Sequence, residues 1–221
     1  ITNNTLVIFS SDNGPARAAT PTELKLTYDT ATGAGWGIGA AKGITGGRRG
    51  YKAALFEGGI GVPFIARWPG KIAAGKVDNL SLISAVDLLP TFCEIAGVTL
   101  PESYKPDGIS QFQTLKGKPS PLREKPLFWK SSSAWPPKKT RPDHWVSYAV
   151  VHQNWKLVSN QDSSHIELYD IAASPFEMND LKPSKPKVTK NLLKLIEKWK
   201  ATLPAKPTGN VFSKERKDRS L

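Results

Sequence analysis

The chain has 221 residues, 39% of them hydrophobic, enough apolar material for a packed core and too much for a disordered chain. A single cysteine, Cys93, excludes an internal disulfide and any cysteine-rich metal site. A formal charge of +12 and a pI near 9.8 keep polyanionic partners in view, but neither an RNA-binding aromatic signature nor zinc-finger spacing accompanies the charge, so no nucleic-acid partner is expected.

The first element is Thr5-Leu6-Val7-Ile8-Phe9, an apolar run that ends abruptly in Ser10-Ser11-Asp12-Asn13-Gly14-Pro15. Such a run predicts a strand buried on both faces, with neighbours that this chain supplies only in part. Ile1 opens directly onto this run without an initiator methionine, which predicts a piece of a longer protein; neither a signal peptide nor a membrane-spanning run is visible. Asp12 and Asn13 stand at the carboxyl end of the strand, where α/β sheets bind ligands, and their oxygens suit a hard cation. The same residues read more plainly as an Asx turn.

Ala16–Gly50 is a long loop rich in Gly, Ala and Thr, of a kind that in a compact domain is either functional or disordered. Arg48 and Arg49 at its end and Lys52 just beyond it form a cluster able to hold a tetrahedral anion or to be an ordinary basic loop. Val62–Trp68 predicts a second strand with Pro63 at its start. Ser84 is a candidate N-cap for a helix over Ala85–Gly97, with Val86, Leu88, Leu89, Phe92 and Ile95 on one apolar face, Pro90 in its first turn and Gly97 as its stop. Cys93 within that helix is expected to be a buried, inert thiol. Ile109–Leu115 could form a short helix.

Lys, Pro and Ser dominate Lys116–Lys125, which places a subdomain boundary near residue 120. Beyond it, Pro126–Trp129, Trp145–Val151, Trp155–Val158 and Ile166–Tyr169 predict a small antiparallel sheet with a hairpin around His152-Gln153-Asn154. Val188–Thr202 predicts an amphipathic helix packed on that sheet. The expected organisation is an α/β domain over 1–120, a small α+β subdomain over 121–204 and a polar, disordered tail over 205–221.

Two halves of a site have now accumulated, and with their flanks they resemble the formylglycine-dependent (type I) sulfatases of the alkaline phosphatase superfamily, close to the arylsulfatase A type. The resemblance runs through Ser11-Asp12-Asn13-Gly14-Pro15, then Arg49-Gly50-Tyr51-Lys52 with Phe56-Glu57-Gly58-Gly59-Ile60 and Val62-Pro63. It continues through Arg67–Ile72, Val86–Thr91, Trp155-Lys156-Leu157 and Leu168-Tyr169-Asp170, with Glu177 and Asn179 to Leu181 following. Each piece is weak alone; seven in the right order are specific. The resemblance implies the C-terminal portion of an alkaline-phosphatase-like sandwich plus a small subdomain, and a sulfuric ester hydrolase acting on aryl or carbohydrate sulfates.

By the same resemblance Asp12 and Asn13 match two calcium ligands, and Lys52 matches a lysine that contacts the sulfate and supports the leaving group. Arg49 matches an arginine that either touches substrate or pairs with a carboxylate behind the site. His144 follows a proline-rich loop, Ser131–Pro142, that could reach the pocket mouth; surface placement is the plainer expectation for it and for His152 and His165. Gly61 stands where the family often has arginine, which puts the local pairing in doubt. Cys93 is followed by Glu94-Ile95-Ala96, and Ser120-Pro121-Leu122-Arg123 has the wrong spacing for a formylglycine precursor. The chain alone is therefore expected to be inactive, with weak calcium affinity from two ligands where calcium takes about six to eight. Two alternatives stay open: a phosphate or phosphonate ester hydrolase of the same superfamily, and a non-catalytic basic module that binds sulfated polysaccharide. The family is commonly secreted, periplasmic or lysosomal.

Overall fold

A computed structural model of the chain describes residues 2–16, 43–118, 123–131 and 142–204. Most of the long glycine-rich loop, most of the proline-rich loop, the expected boundary near residue 120 and the expected tail lie outside the described residues.

The largest element is a four-stranded antiparallel sheet. Its strands are β3 (Leu127–Lys130), β4 (Tyr148–His152), β5 (Trp155–Ser159) and β6 (Ile166–Asp170), in that order across the sheet. Val150 stands opposite both Phe128 on β3 and Leu157 on β5, and Leu157 opposite Leu168 on β6. The β4–β5 turn is Gln153-Asn154, where Gln153 takes a left-handed φ of 56°. Because side chains alternate across a strand, the sheet has two apolar faces. One face gives Tyr148, Val150, Leu157 and Leu168 to a core closed by Leu192 and Ile196 of the C-terminal helix, Pro186–Lys200. Phe128 stacks on Trp199 of that helix at 4.9 Å. Fully burying a side chain such as Ile196 contributes about 1.5–3 kcal/mol.

The other face of the sheet gives Ala149, Val158 and Tyr169, with Val146, to a second core. Ala54, Leu55 and Phe56 complete it from far earlier in the chain. Segment 43–60 is thus packed onto the sheet opposite the C-terminal helix.

The N-terminal strand β1 (Val7–Ser10) pairs antiparallel with β2 (Phe64–Arg67), Val7 opposite Arg67 and Ser10 opposite Phe64. The expectation of burial on both faces is corrected: Val7 and Phe9 are 50% and 61% exposed. Among the described residues β1 has β2 as its sole ladder partner, and a two-stranded ribbon cannot cover its own faces.

The predicted helix over Ala85–Gly97 forms as a 3-10 turn, Ala85–Asp87, leading into an α-helix, Leu88–Ala96, with Gly97 left-handed at its end. Its apolar face is only partly covered, since Val86, Leu89 and Phe92 are exposed. What is buried is polar: Asp87 and Thr91. Cys93 is a free thiol that is half-buried, not buried as expected. A single helical turn, Phe112–Leu115, follows within the expected Ile109–Leu115.

Candidate functional site

The site begins where β1 ends. Ser11 Oγ donates to the Asn13 carbonyl (2.9 Å), and Asn13 Nδ2 donates to the Gly14 carbonyl (2.9 Å). These bonds fold the Asp-Asn pair into a turn in which the Asn13 side-chain nitrogen is used internally. Asp12 is exposed and Asn13 half-buried. This turn docks on the segment that bears Lys52 through two backbone bonds: Gly14 N to Gly59 O at 2.7 Å and Lys52 N to Pro15 O at 2.9 Å. The approach is so close that a Cβ on Gly14 would lie 1.9 Å from the Gly58 carbonyl oxygen. Only glycine fits.

Lys52 itself is exposed, near the crest of an arch from Arg49 to Glu57. The arch is closed by Gly58 N donating to Arg49 O (2.6 Å) and Ala54 N donating to Tyr51 O (2.9 Å). Gly50 and Ala53 both have left-handed backbones, with φ of 81° and 73°. Ala53 carries a Cβ and is therefore strained, immediately beside Lys52. The helical turn Glu57–Ile60 follows the arch, and β2 follows that.

Both feet of the arch are ionic. At the first, Arg49 Nε meets Asp143 Oδ1 (2.7 Å), and Arg49 Nη1 meets Glu167 Oε2 (2.8 Å) and the Tyr169 hydroxyl (2.8 Å). The guanidinium also lies 3.8 Å from the centre of the Phe56 ring. Burial works against the Arg49 charge, but the bond to Asp143 and the negative neighbours outweigh it, and the pKa is raised. Burial first, then the bond to Glu167, pushes the Tyr169 phenol far above its ordinary value. At the second foot, Lys156 Nζ lies 2.8 Å from Glu57 Oε1 and 2.8 Å from Glu177 Oε1. Glu177 Oε2 accepts from the Glu57 backbone N–H at 2.5 Å, so it caps the helical turn. Burial raises the Glu177 carboxyl pKa, partly offset by Lys156.

The structure therefore brings Asp12, Asn13 and Lys52 onto adjoining backbone segments. Arg49 is paired with Asp143, Glu167 and Tyr169. His144 sits in the 3-10 turn Pro142–Trp145, whose Asp143 holds Arg49 and whose Trp145 packs edge-on against Phe56. His165 stacks on Trp145 at 3.9 Å, and His152 lies 3.1 Å from the Glu124 carbonyl. Opposite Gly61, a Cβ would meet Glu57 Oε2 at 2.7 Å, so the Glu57 carboxylate stands over the position where the family often has arginine. Asp143, Lys156, Glu167 and Tyr169 had not been singled out from the sequence as site residues. A lysine at an inward position of an apolar strand was the one available signal, in Lys156.

As a cation site, Asp12 and Asn13 offer a carboxylate and an amide oxygen, the right chemistry for calcium but too few atoms. Among the described residues no group of three or more His, Cys, Asp or Glu is placed to hold a metal ion. Nor is any helix among them long and apolar enough to cross a membrane.

Fold and sequence together define the C-terminal region of a sulfatase. Residues 48–202 match the family described as N-sulphoglucosamine sulphohydrolase, C-terminal, and the chain belongs to that family. It is 28% identical over 214 residues to an N-acetylgalactosamine-6-O-sulfatase of Bacteroides thetaiotaomicron, covering 90% of this chain and 37% of that protein. It is 36% identical over 132 residues to the mouse N-acetylgalactosamine-6-sulfatase, covering 58% of this chain and 21% of that one. A solved Bacteroides thetaiotaomicron structure, described with the metabolism of multiple glycosaminoglycans, superposes with a TM-score of 0.62 at 26% identity. That match covers 90% of this chain and 39% of the other. The chain thus spans well under half the length of these relatives.

Proposed function

We propose that this chain is the C-terminal part of a calcium-assisted sulfatase that hydrolyses aryl or carbohydrate sulfate esters, carbohydrate sulfates being what its relatives' names favour. The observation that supports it best is the docking of the Asp12-Asn13 turn on the Lys52 arch by the Gly14–Gly59 and Lys52–Pro15 backbone bonds. In this reading Asp12 and Asn13 hold the cation with an oxygen each. When bound, a divalent cation draws negative charge from the sulfate oxygens. The Lys52 ammonium orients the sulfate and stabilises charge on the bridging oxygen as the S–O bond breaks. The formylglycine nucleophile and the other metal ligands belong to sequence N-terminal to this chain, which alone is inactive.

The test has two parts. The purified chain, assayed with calcium and an aryl sulfate, is expected to show no turnover and calcium binding weaker than micromolar by calorimetry. In the longer protein that carries this chain, Lys52→Ala and Asp12→Ala should each lower kcat/KM by about 100-fold, the scale of losing one charge-stabilising group. Turnover by the chain alone, submicromolar calcium binding, or full activity of the Lys52→Ala protein would overturn the proposal.

A further inference from the structure

The Lys156–Glu177 pair is the most deeply buried charge in the described structure, with both side chains 0% exposed. With both side chains fully buried, neither is open to a substrate, and a buried ion pair is a poor way to add stability, because desolvation offsets most of its Coulomb gain. An apolar pair of similar volume would serve the core as well. What an apolar pair could not do is grip the start of the Glu57 helical turn from two directions. Glu177 takes the Glu57 backbone N–H, and Lys156 takes the Glu57 side chain. Glu177 accepts a left-handed backbone, φ 54°, to do so. Two residues beyond Glu57, Gly59 receives the Gly14 N–H that docks the Asp12-Asn13 turn. Five residues before it stands Lys52.

We propose that Lys156 and Glu177 are positioning residues for Lys52 and the Asp12-Asn13 turn. The small C-terminal sheet reaches through its own core and fixes one foot of the arch on which both depend. This rests on the sulfatase reading for its catalytic consequence, but the mechanical part stands on the contacts alone. Loosening that foot moves the lysine relative to the sulfate, and a misplacement near 1 Å costs about 100-fold in a positioned reaction. The loss falls unevenly. A sulfate ester with a poor leaving group needs the lysine as the S–O bond breaks; an activated aryl ester needs it far less. A folding defect, by contrast, lowers activity toward both equally.

The experiment uses the longer protein carrying this chain, with the double variant Lys156→Met/Glu177→Leu and the conservative Glu177→Gln, which keeps an oxygen for Glu57 N–H. The double variant should lose about tenfold more kcat/KM on an alkyl or sugar sulfate than on a nitroaryl sulfate, and Glu177→Gln should stay within about threefold of wild type on both. Amide hydrogen exchange should speed up at Gly58, Gly59 and Ile60 in the double variant while the β4–β5 amides stay protected. Should the double variant not fold, Glu57→Gln, at the accessible end of the same network, is read by the same two measurements. Equal losses on both esters together with unchanged exchange at Gly58 and Gly59 would overturn the proposal. A wild-type protein that hydrolyses no sulfate ester removes the sulfatase reading instead, and the exchange result then decides whether the pair holds the arch.

Discussion

Arg123 meets Asp87 across 36 residues of sequence through two parallel contacts, Nη1 to Oδ2 at 2.8 Å and Nη2 to Oδ1 at 2.9 Å, with neither side chain more than 3% exposed. Asp87 also accepts from the Ser84 and Ile109 backbone N–H groups, and Arg123 Nε donates to the Lys125 carbonyl. This pair staples the 3-10 turn Ala85–Asp87, which leads into the helix Leu88–Ala96, to the segment that enters β3. Removing one partner strands the other charge in the interior. Arg123→Met should therefore destabilise the chain by about 3–5 kcal/mol in urea denaturation. Arg123→Lys should recover only part, since an ammonium cannot make the forked contact. A loss under about 1 kcal/mol for Arg123→Met would show that the staple does not hold the helix.

Arg49 gives a second expectation, drawn from its three polar partners and the Phe56 face. Arg49→Met should lower stability by roughly 2 kcal/mol, the scale of hydrogen bonds to charged groups. The measurement is made with no substrate present. A variant as stable as wild type would release Arg49 from its pairing role and return it to substrate contact.

The sequence showed what depends on period and order. Short apolar and aromatic runs separated by tight turns gave the four C-terminal strands within a few residues, and apolar spacing gave the helix Pro186–Lys200. Asp12, Asn13 and Lys52 were linked by the order of motifs, since no local pattern says that residues forty apart lie on adjoining segments. Periodicity also tells which side chains share a face, not what covers it. Val86, Leu89 and Phe92 do share one, and Val7 and Phe9 lie on apolar β1, yet all are exposed among the described residues. The second ionic foot was not legible, because Lys156 and Glu177 look like surface charges until the register of β5 turns Lys156 inward; at the first, a carboxylate partner for Arg49 was one of two expectations, without its identity. Ala53 was hidden for another reason: a left-handed backbone is expected at glycine, and tertiary contacts impose it on alanine.

Gly14 should tolerate no side chain. Gly14→Ala would drive a methyl group into the Gly58 carbonyl and Gly59 Cα, so the turn must lift from the arch. Overpacking of this kind costs about 1–3 kcal/mol. The more specific outcome is at the bonds that dock the turn. The amides of Gly14 and Lys52 should exchange faster with solvent in the variant, while those of β4 and β5 keep their protection. Unchanged exchange at both amides would mean that the Asp12-Asn13 turn is held by something other than this contact.

Glu177 leads to a pH dependence with a definite sign. Burial raises its carboxyl pKa above the ordinary 4.5, and Lys156 reverses only part of the rise. The folded chain then holds this proton more tightly than the unfolded chain does. Its contribution to stability is fully present below 4.5 and is lost as pH rises through the higher folded value, the opposite of an exposed, salt-bridged carboxylate. Glu177→Gln abolishes the titration and leaves the amide in place. The difference in unfolding free energy, wild type minus variant, should therefore be most favourable to wild type near about pH 4 and shrink toward about pH 7. Urea titrations of both proteins across that interval measure it. A difference that grows with pH would mean that Lys156 outweighs burial and holds the folded carboxyl below its ordinary value.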